Sequence, residues 1–325
     1  VKRDQPGDVD LAVYYNPAAL TLTKRGQLSL DLMTGLHGVR YRRTTTTVPE
    51  PADARNANLG KARLFDVLSG PSLAGSIRFG NLTLGAGVYA PVAGSQSWDK
   101  NDRFRGNLDY PGAYDGRARF RLIEGSFLLL NGTLAASYRF ERIGLSLGAG
   151  GNLNYTDITL VRALTPSFDD AITNHVEQRT DIAASGITGS FSVGLLWQSS
   201  EDRVAVGLSY QAPPGMYDGQ VLAGRVRTSF GGIVQQNDAD LHQTMPDVIR
   251  WGVRFWATRD LALRLYGDYT RWSLLERQCL TQRGETCDVA RDDSEREGNQ
   301  VLSNHERRWQ DVIELLDAGI DVYTP

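Results

Sequence analysis

The stretch SFLLLNGTLAASYRFERIGLSLGAGGNLNYTDITL, Ser126 to Leu160, decides how the rest of the chain is read. Taken two residues at a time it places Leu130, Gly132, Leu134, Ala136, Tyr138 and Phe140 on one side, and Asn131, Thr133, Ala135, Ser137 and Arg139 on the other. That period belongs to a strand, whose successive side chains point to opposite faces. After Glu141 and Arg142 the alternation resumes, with Ile143, Leu145, Leu147, Ala149, Leu153 and Tyr155 opposed to Gly144, Ser146, Gly148, Asn152, Asn154 and Thr156. The pattern predicts a long hairpin. Its second arm exceeds the ~5–6 residues of a usual globular strand. The face opposite its apolar side carries glycine and small polar groups where a soluble core would need Val, Ile or Phe. Something other than a packed soluble core must cover the apolar face.

Composition narrows what that cover is. The chain has 325 residues, 41% of them hydrophobic, yet its mean hydropathy is −0.33. No run approaches the ~18 apolar residues of a membrane helix, which excludes a helical membrane protein. A net charge of −3 and the lack of a basic tract leave no footprint for nucleic acid. The 34 glycines, 13 tyrosines and 6 tryptophans suit a β protein with close backbone contacts and interfacial aromatic girdles. Val1 to Asp8 has no apolar h-region, so any signal peptide is expected to have been removed.

The alternation recurs along the chain, in Leu28 to Leu36, Leu73 to Phe79, Leu82 to Val88, Ile187 to Trp197, Val204 to Tyr210, Ile249 to Phe255, Leu261 to Tyr269 and Leu316 to Val322. With the two arms of the hairpin this makes ten strands. Their connections alternate in length. Gly80-Asn81, Phe140 to Arg142, Ser199 to Asp202 and Ala257 to Asp260 are short; Thr44 to Val67, Asp99 to Ile123, Ala163 to Ala184, Arg227 to Met245 and Cys279 to Glu306 are long. Outer-membrane barrels sort their loops in this way, with short periplasmic turns and long external loops. Arg250, Arg254, Arg264, Asp268, Asp317 and Asp321 fall on lumen-facing positions, where a wide barrel keeps charges hydrated. The fold class is an all-β, transmembrane antiparallel β-barrel in the outer membrane of a Gram-negative bacterium, with lipid and lipopolysaccharide as its surroundings.

Several segments resemble one family, the outer-membrane long-chain fatty-acid and hydrocarbon transporters of the FadL type. VYYNPAAL, Val13 to Leu20, is similar to the Asn-Pro-Ala segment of that family's amino-terminal hatch. LSYQAP (Leu208 to Pro213), MPDVIRWGVRFWATRDLALRLYGDYTRWS (Met245 to Ser273) and WQDVIELLDAGIDVY (Trp309 to Tyr323) resemble its later strands, in the same order. The resemblance implies a fourteen-stranded barrel plugged by the hatch, working as a monomer without a cofactor. Residues 1–25 would be part of the hatch and 26–325 a barrel incomplete at its carboxyl end. Hydrophobic ligands would be captured between external loops, meet a site beside the hatch at Asn16, Pro17, Ala18 and Leu20, and leave sideways through a break in the third strand. The candidate break is YAPVAGSQSW, where Pro91 removes a ladder donor and Gly94 tolerates an irregular backbone, next to Ala90. The alternative is that Pro91 ends the strand at the outer rim.

Enzyme motifs are missing from the sequence: there is no Gly-x-Ser-x-Gly elbow, His-Glu-x-x-His helix or Gly-x-x-x-x-Gly-Lys loop. GAGGNL, Gly148 to Leu153, lies inside a strand, and its glycines read as close packing at the barrel wall. His37, His175, His242 and His305 lack metal-ligand spacing. In the loop after strand five, Phe168, Ala171, Ile172 and Val176 recur at helical spacing behind Pro166 and the Asp169-Asp170 pair. A short amphipathic helix there would either line a ligand groove with Phe168, Ile172 and Val176 or cap its own loop. Cys279 and Cys287 flank a Gly-bearing turn and are expected to form a disulfide in an oxidising compartment. The acidic run Asp288 to Glu297 reads as a solvated loop. Uptake of hydrophobic small molecules is the first functional expectation, ahead of a general diffusion porin and a structural or adhesin barrel. A porin has no use for the apolar LAVYYNPAAL before its first strand.

Overall fold

The computed structural model describes residues 12–165, 170–172, 177–274 and 278–287. A helical turn α1 (Ala12–Tyr15) and a 3₁₀ turn (Pro17–Leu22) precede six long strands: β1 (Gly26–Arg43), β2 (Gly60–Phe79), β3 (Leu82–Ser97), β4 (Glu124–Phe140), β5 (Leu145–Leu164) and β6 (Gln178–Gln198). Shorter strands follow: β7 (Val204–Gln211), β8 (Gln220–Phe230), β9 (Ile233–Gln243), β10 (Val248–Trp256), β11 (Ala262–Thr270) and β12 (Gln278–Gln282). All pairs are antiparallel, and the path of neighbours runs β1-β2-β3-β4-β5-β6-β7-β10-β11. β8 continues upward beside β6 where β7 leaves it, and pairs with β9, which pairs with β12.

The two faces of this sheet have opposite chemistry. Outward side chains include Leu28, Leu30, Leu36, Leu134, Leu153 and Ile187, each at least two-thirds exposed. A water-soluble protein would not leave such a band bare, whereas lipid covers it. The inner face buries Thr83, Asn131, Thr133, Ser137, Asn152, Asn154, Thr156, Ser190, Ser192 and Ser209. Near the short turns the outward positions become aromatic, with Phe79, Tyr138, Phe140, Trp197 and Phe255 forming one edge of the lipid band. Tyr138 and Phe140 meet edge to face at 4.9 Å.

The strands are longer than the alternation suggests. β1 to β6 have 16 to 21 residues, about twice what crosses a bilayer, so their upper halves project beyond the lipid. In β5 and β6 the outward face there carries Asp157, Arg179 and Asp181, and the apolar period that marks a lipid-facing strand is broken. This corrects the loop reading of 44–67, which ends at β2 from Gly60, and of 163–184, which shrinks to 165–177. It also corrects 227–245, which is the hairpin β8–β9 turning on Gly231 and Gly232 at φ 53° and 82°. Two consecutive positive φ values define the turn that joins twisted strands best. Cys279 lies in β12. The expected strand at 316–322, with Asp317 and Asp321, lies outside the described residues.

Candidate functional site

The amino-terminal segment sits inside the wall, near the short turns. Val13, Ala18 and Leu20 are buried, together with Thr21 and Thr23, and Ala12, Val13 and Leu20 form an apolar cluster with Ala135 of β4. Burying a Val or Leu contributes ~1.5–3 kcal/mol. Asn16 caps the 3₁₀ turn, its Oδ1 accepting from the Ala18 N–H at 3.0 Å. Its amide nitrogen donates to the carbonyl oxygens of Leu195 (3.1 Å) on β6 and Leu208 (3.4 Å) on β7. One side chain therefore ties the segment to two wall strands. Ser209 Oγ donates to the Tyr15 carbonyl at 2.6 Å, and Thr21 Oγ1 lies 2.9 Å from Ser146 Oγ. Pro17 follows the cap, where its missing N–H is no loss.

The segment also carries an aromatic contact to the third strand. Tyr14 packs on Tyr89 with ring centroids 4.3 Å apart. The Arg250 guanidinium of β10 lies over Tyr14 at 4.7 Å and Tyr15 at 5.4 Å, an arrangement favoured by the ring quadrupole. Arg250 is thus lumenal, and its Nη1 donates to Gln211 at 2.9 Å. The Tyr89 hydroxyl lies 2.6 Å from Thr133 Oγ1.

Tyr89 marks where the wall changes. The β2–β3 ladder runs from Phe79↔Leu82 to Ser72↔Tyr89 and ends there; the next bridge across is Leu64↔Trp98. Between them β2 stays paired to β1 and β3 to β4, so this stretch of the β2–β3 seam has no ladder pairs. On its β4 side β3 absorbs one extra residue between Tyr89 and Val92, a bulge that contains Ala90 and Pro91. Pro91 therefore does not end the strand, which continues to Ser97. Pro71 stands on the opposite lip, next to the last paired residue, Ser72. Neither proline can donate a ladder hydrogen bond. A Cβ added to Gly94 would lie 2.8 Å from Leu68 Cδ2, and one added to Gly70 would lie 3.3 Å from the Ala90 carbonyl oxygen. Leu68 and two glycines thus bring the lips together without ladder pairs between them. Ser95 Oγ donates to Asp66 at 2.8 Å farther up. The sequence expectation named Ala90, Pro91 and Gly94; Pro71 and Leu68, whose place along this seam depends on register, were not in it.

The external loops fold into a small cap with a core of Ala54, Ala57, Phe104, Tyr110, Ala113 and Ile172. The fully buried Arg119 holds it, donating to both Glu177 carboxylate oxygens at 2.8 and 3.2 Å and to the carbonyls of Ala57 and Gly116. A bidentate pair of this kind fixes geometry as well as charge. The buried Asp170 accepts from Arg43 and from the Thr47 N–H and hydroxyl. Tyr110 donates to Asp53 at 3.0 Å; burial and then that carboxylate raise its phenol above the ordinary value of 10.0. A cavity of about 350 Å³ opens between Tyr110, Pro111, Gly112, Ile172, Glu177 and the Gly231-Gly232 turn. Ile172 is there, but residues 170–172 are not helical; Asp170 is drawn instead to Arg43 and Thr47. Phe168, Val176 and the rest of the expected helix lie outside the described residues, as does the acidic run from Asp288. Cys279 and Cys287 are joined in a disulfide, with Cα atoms 6.2 Å apart.

A lipid-facing antiparallel wall with a polar lumen, an apolar segment lodged in that lumen and loops folded over one end defines an outer-membrane channel protein. The chain belongs to the outer membrane protein transport protein family (OMPP1/FadL/TodX), whose sequence profile matches residues 7–316. It is a transport protein of the Gram-negative outer membrane and not an enzyme. Its fold is similar to that of a Pseudomonas aeruginosa FadL homologue, with a TM-score of 0.61 at 16% identity over 85% of this chain and 67% of that one. It is also similar to the Ralstonia pickettii toluene transporter TbuX (0.59, 18%, 84% and 71%) and to a mutant of the TodX monoaromatic hydrocarbon channel (0.61, 14%, 86% and 70%). No curated protein sequence matches the chain.

Proposed function

We propose that the protein takes up hydrophobic small molecules, monoaromatic hydrocarbons or long-chain fatty acids, and passes them sideways into the membrane through the slot between β2 and β3. The observation that carries this reading is the slot: a wall seam without ladder bonds, lipped by Pro71 and Pro91 and lined by Leu68, Gly70, Ala90 and Gly94. An apolar solute gains little from a lumen lined with Asn, Ser and Thr, whereas transfer into lipid is favourable by ~0.8 kcal/mol per methylene. The loop cavity beside Tyr110 and Ile172 serves as the capture site, and Ala12 to Leu22 is the hatch that blocks straight passage. The protein acts as a single chain. The test is uptake by outer-membrane vesicles of labelled toluene and oleate against a small sugar. Selective uptake of the hydrophobic probes supports the reading; sugar entry at the same rate supports a general porin instead.

A further inference from the structure

We infer that Gly148 and Gly194 are the seat of the hatch, positioning residues whose missing side chains decide whether the lumen is shut. This rests on the hatch reading above. The two face each other across β5 and β6. A Cβ on Gly148 would overlap the Pro17–Ala18 peptide, which is backbone and cannot swing aside; a Cβ on Gly194 would overlap Asn16 Oδ1. Neither glycine is among those with positive φ, so backbone conformation does not demand it. Glycine inside a strand is destabilising by roughly 0.5–1 kcal/mol relative to alanine. The wall retains both where the hatch needs the space. Gly151 and Gly189, on the same two strands, would meet nothing within 4 Å and serve as controls. Behind the seat the wall is polar, with Asn152, Asn154, Ser190 and Ser192, so an unseated hatch exposes a water-filled passage.

The experiment is single-channel conductance of the purified protein in planar bilayers, with heat-modifiable migration as the control for assembly. Gly148→Ala and Gly194→Ala are expected to raise ion conductance by at least about tenfold, the effect of a tenfold shift in open population, while Gly151→Ala and Gly189→Ala match the parent. Asn16→Ala removes the atom that Gly194→Ala would strike. The double variant is therefore expected to conduct no more than Asn16→Ala alone. With Cys279 and Cys287 paired, a Thr21→Cys variant carries one free thiol, expected to react with a polar maleimide faster in the Gly194→Ala background. Parental conductance in both glycine variants, multiplicative leak in the double variant, or failed assembly of Gly194→Ala overturns the seat. Failure of hydrophobic uptake by the parent would instead overturn the transport reading and leave this conductance test standing.

Discussion

The β5–β6 and β2–β3 ladders are built from neighbouring strands of similar length, yet one is sealed and the other is not. β5 and β6 pair without interruption over 20 residues, from Leu145↔Trp197 to Leu164↔Gln178. β2 and β3 make eight consecutive pairs and part at Tyr89. The difference lies in local chemistry. The sealed ladder contains no proline, while the open one has Pro71 and Pro91 on its two lips and a bulge that includes the second. In lipid every unpaired backbone group is costly, so a seam persists only where donors are already absent or side chains shield the backbone.

The largest expected effect comes from breaking the sealed side. Ala149→Pro removes a donor inside β5, where Ala149 is paired on both sides with Ala136 and Val193, and leaves a wall carbonyl without a partner, at a cost of about 3 kcal/mol or more. Heat-modifiable migration should be lost. If Ala149→Pro assembles normally, the wall tolerates proline anywhere and the slot has no special chemistry. A smaller effect comes from mending the open side. Pro71→Val with Pro91→Val restores two donors, changing stability by only ~1 kcal/mol or so, and is expected to slow uptake several-fold while assembly is unchanged. Faster or equal uptake would separate the prolines from transport. The smallest effect lies far from both ladders. Cys279→Ser opens a bridge spanning eight positions and is expected to cost at most ~2–3 kcal/mol, as local order in β12. Proteolysis should then nick the β12 region while the wall still migrates as folded; global unfolding would contradict this.

What the sequence revealed follows the lipid. Where a strand faces hydrocarbon, as in Leu28 to Leu36 or Leu145 to Leu153, the period of two is plain and locates the strand. Above the lipid, β8 and β9 pair Arg225 with Asp238 and Arg227 with Gln236, and only scattered apolar residues such as Leu222 and Leu241, without a sustained period of two, mark them. The Gly231-Gly232 pair was the remaining signal of that hairpin. The site divides in the same way. Pro91 and the Asn-Pro-Ala segment stand out as residues, and the Gly148 stretch reads as close packing, but what it packs against is set by the chain's return. Pro71 becomes a lip only once register places Ser72 opposite Tyr89. Gly151, in the same glycine run, faces outward, where an added Cβ would meet nothing within 4 Å.

The central claim, lateral exit through the slot, is tested most directly by measuring uptake of labelled toluene and oleate in Gly94→Phe beside Gly151→Phe. Both add a ring to a wall glycine. At position 94 the added side chain starts 2.8 Å from Leu68 and is expected to fill the slot, whereas at 151 the added Cβ meets nothing within 4 Å on the outward face. The account predicts normal assembly of both, parental uptake in Gly151→Phe, and uptake reduced at least about tenfold in Gly94→Phe, a barrier increase of ~1.4 kcal/mol. Undiminished uptake in an assembled Gly94→Phe protein would contradict it.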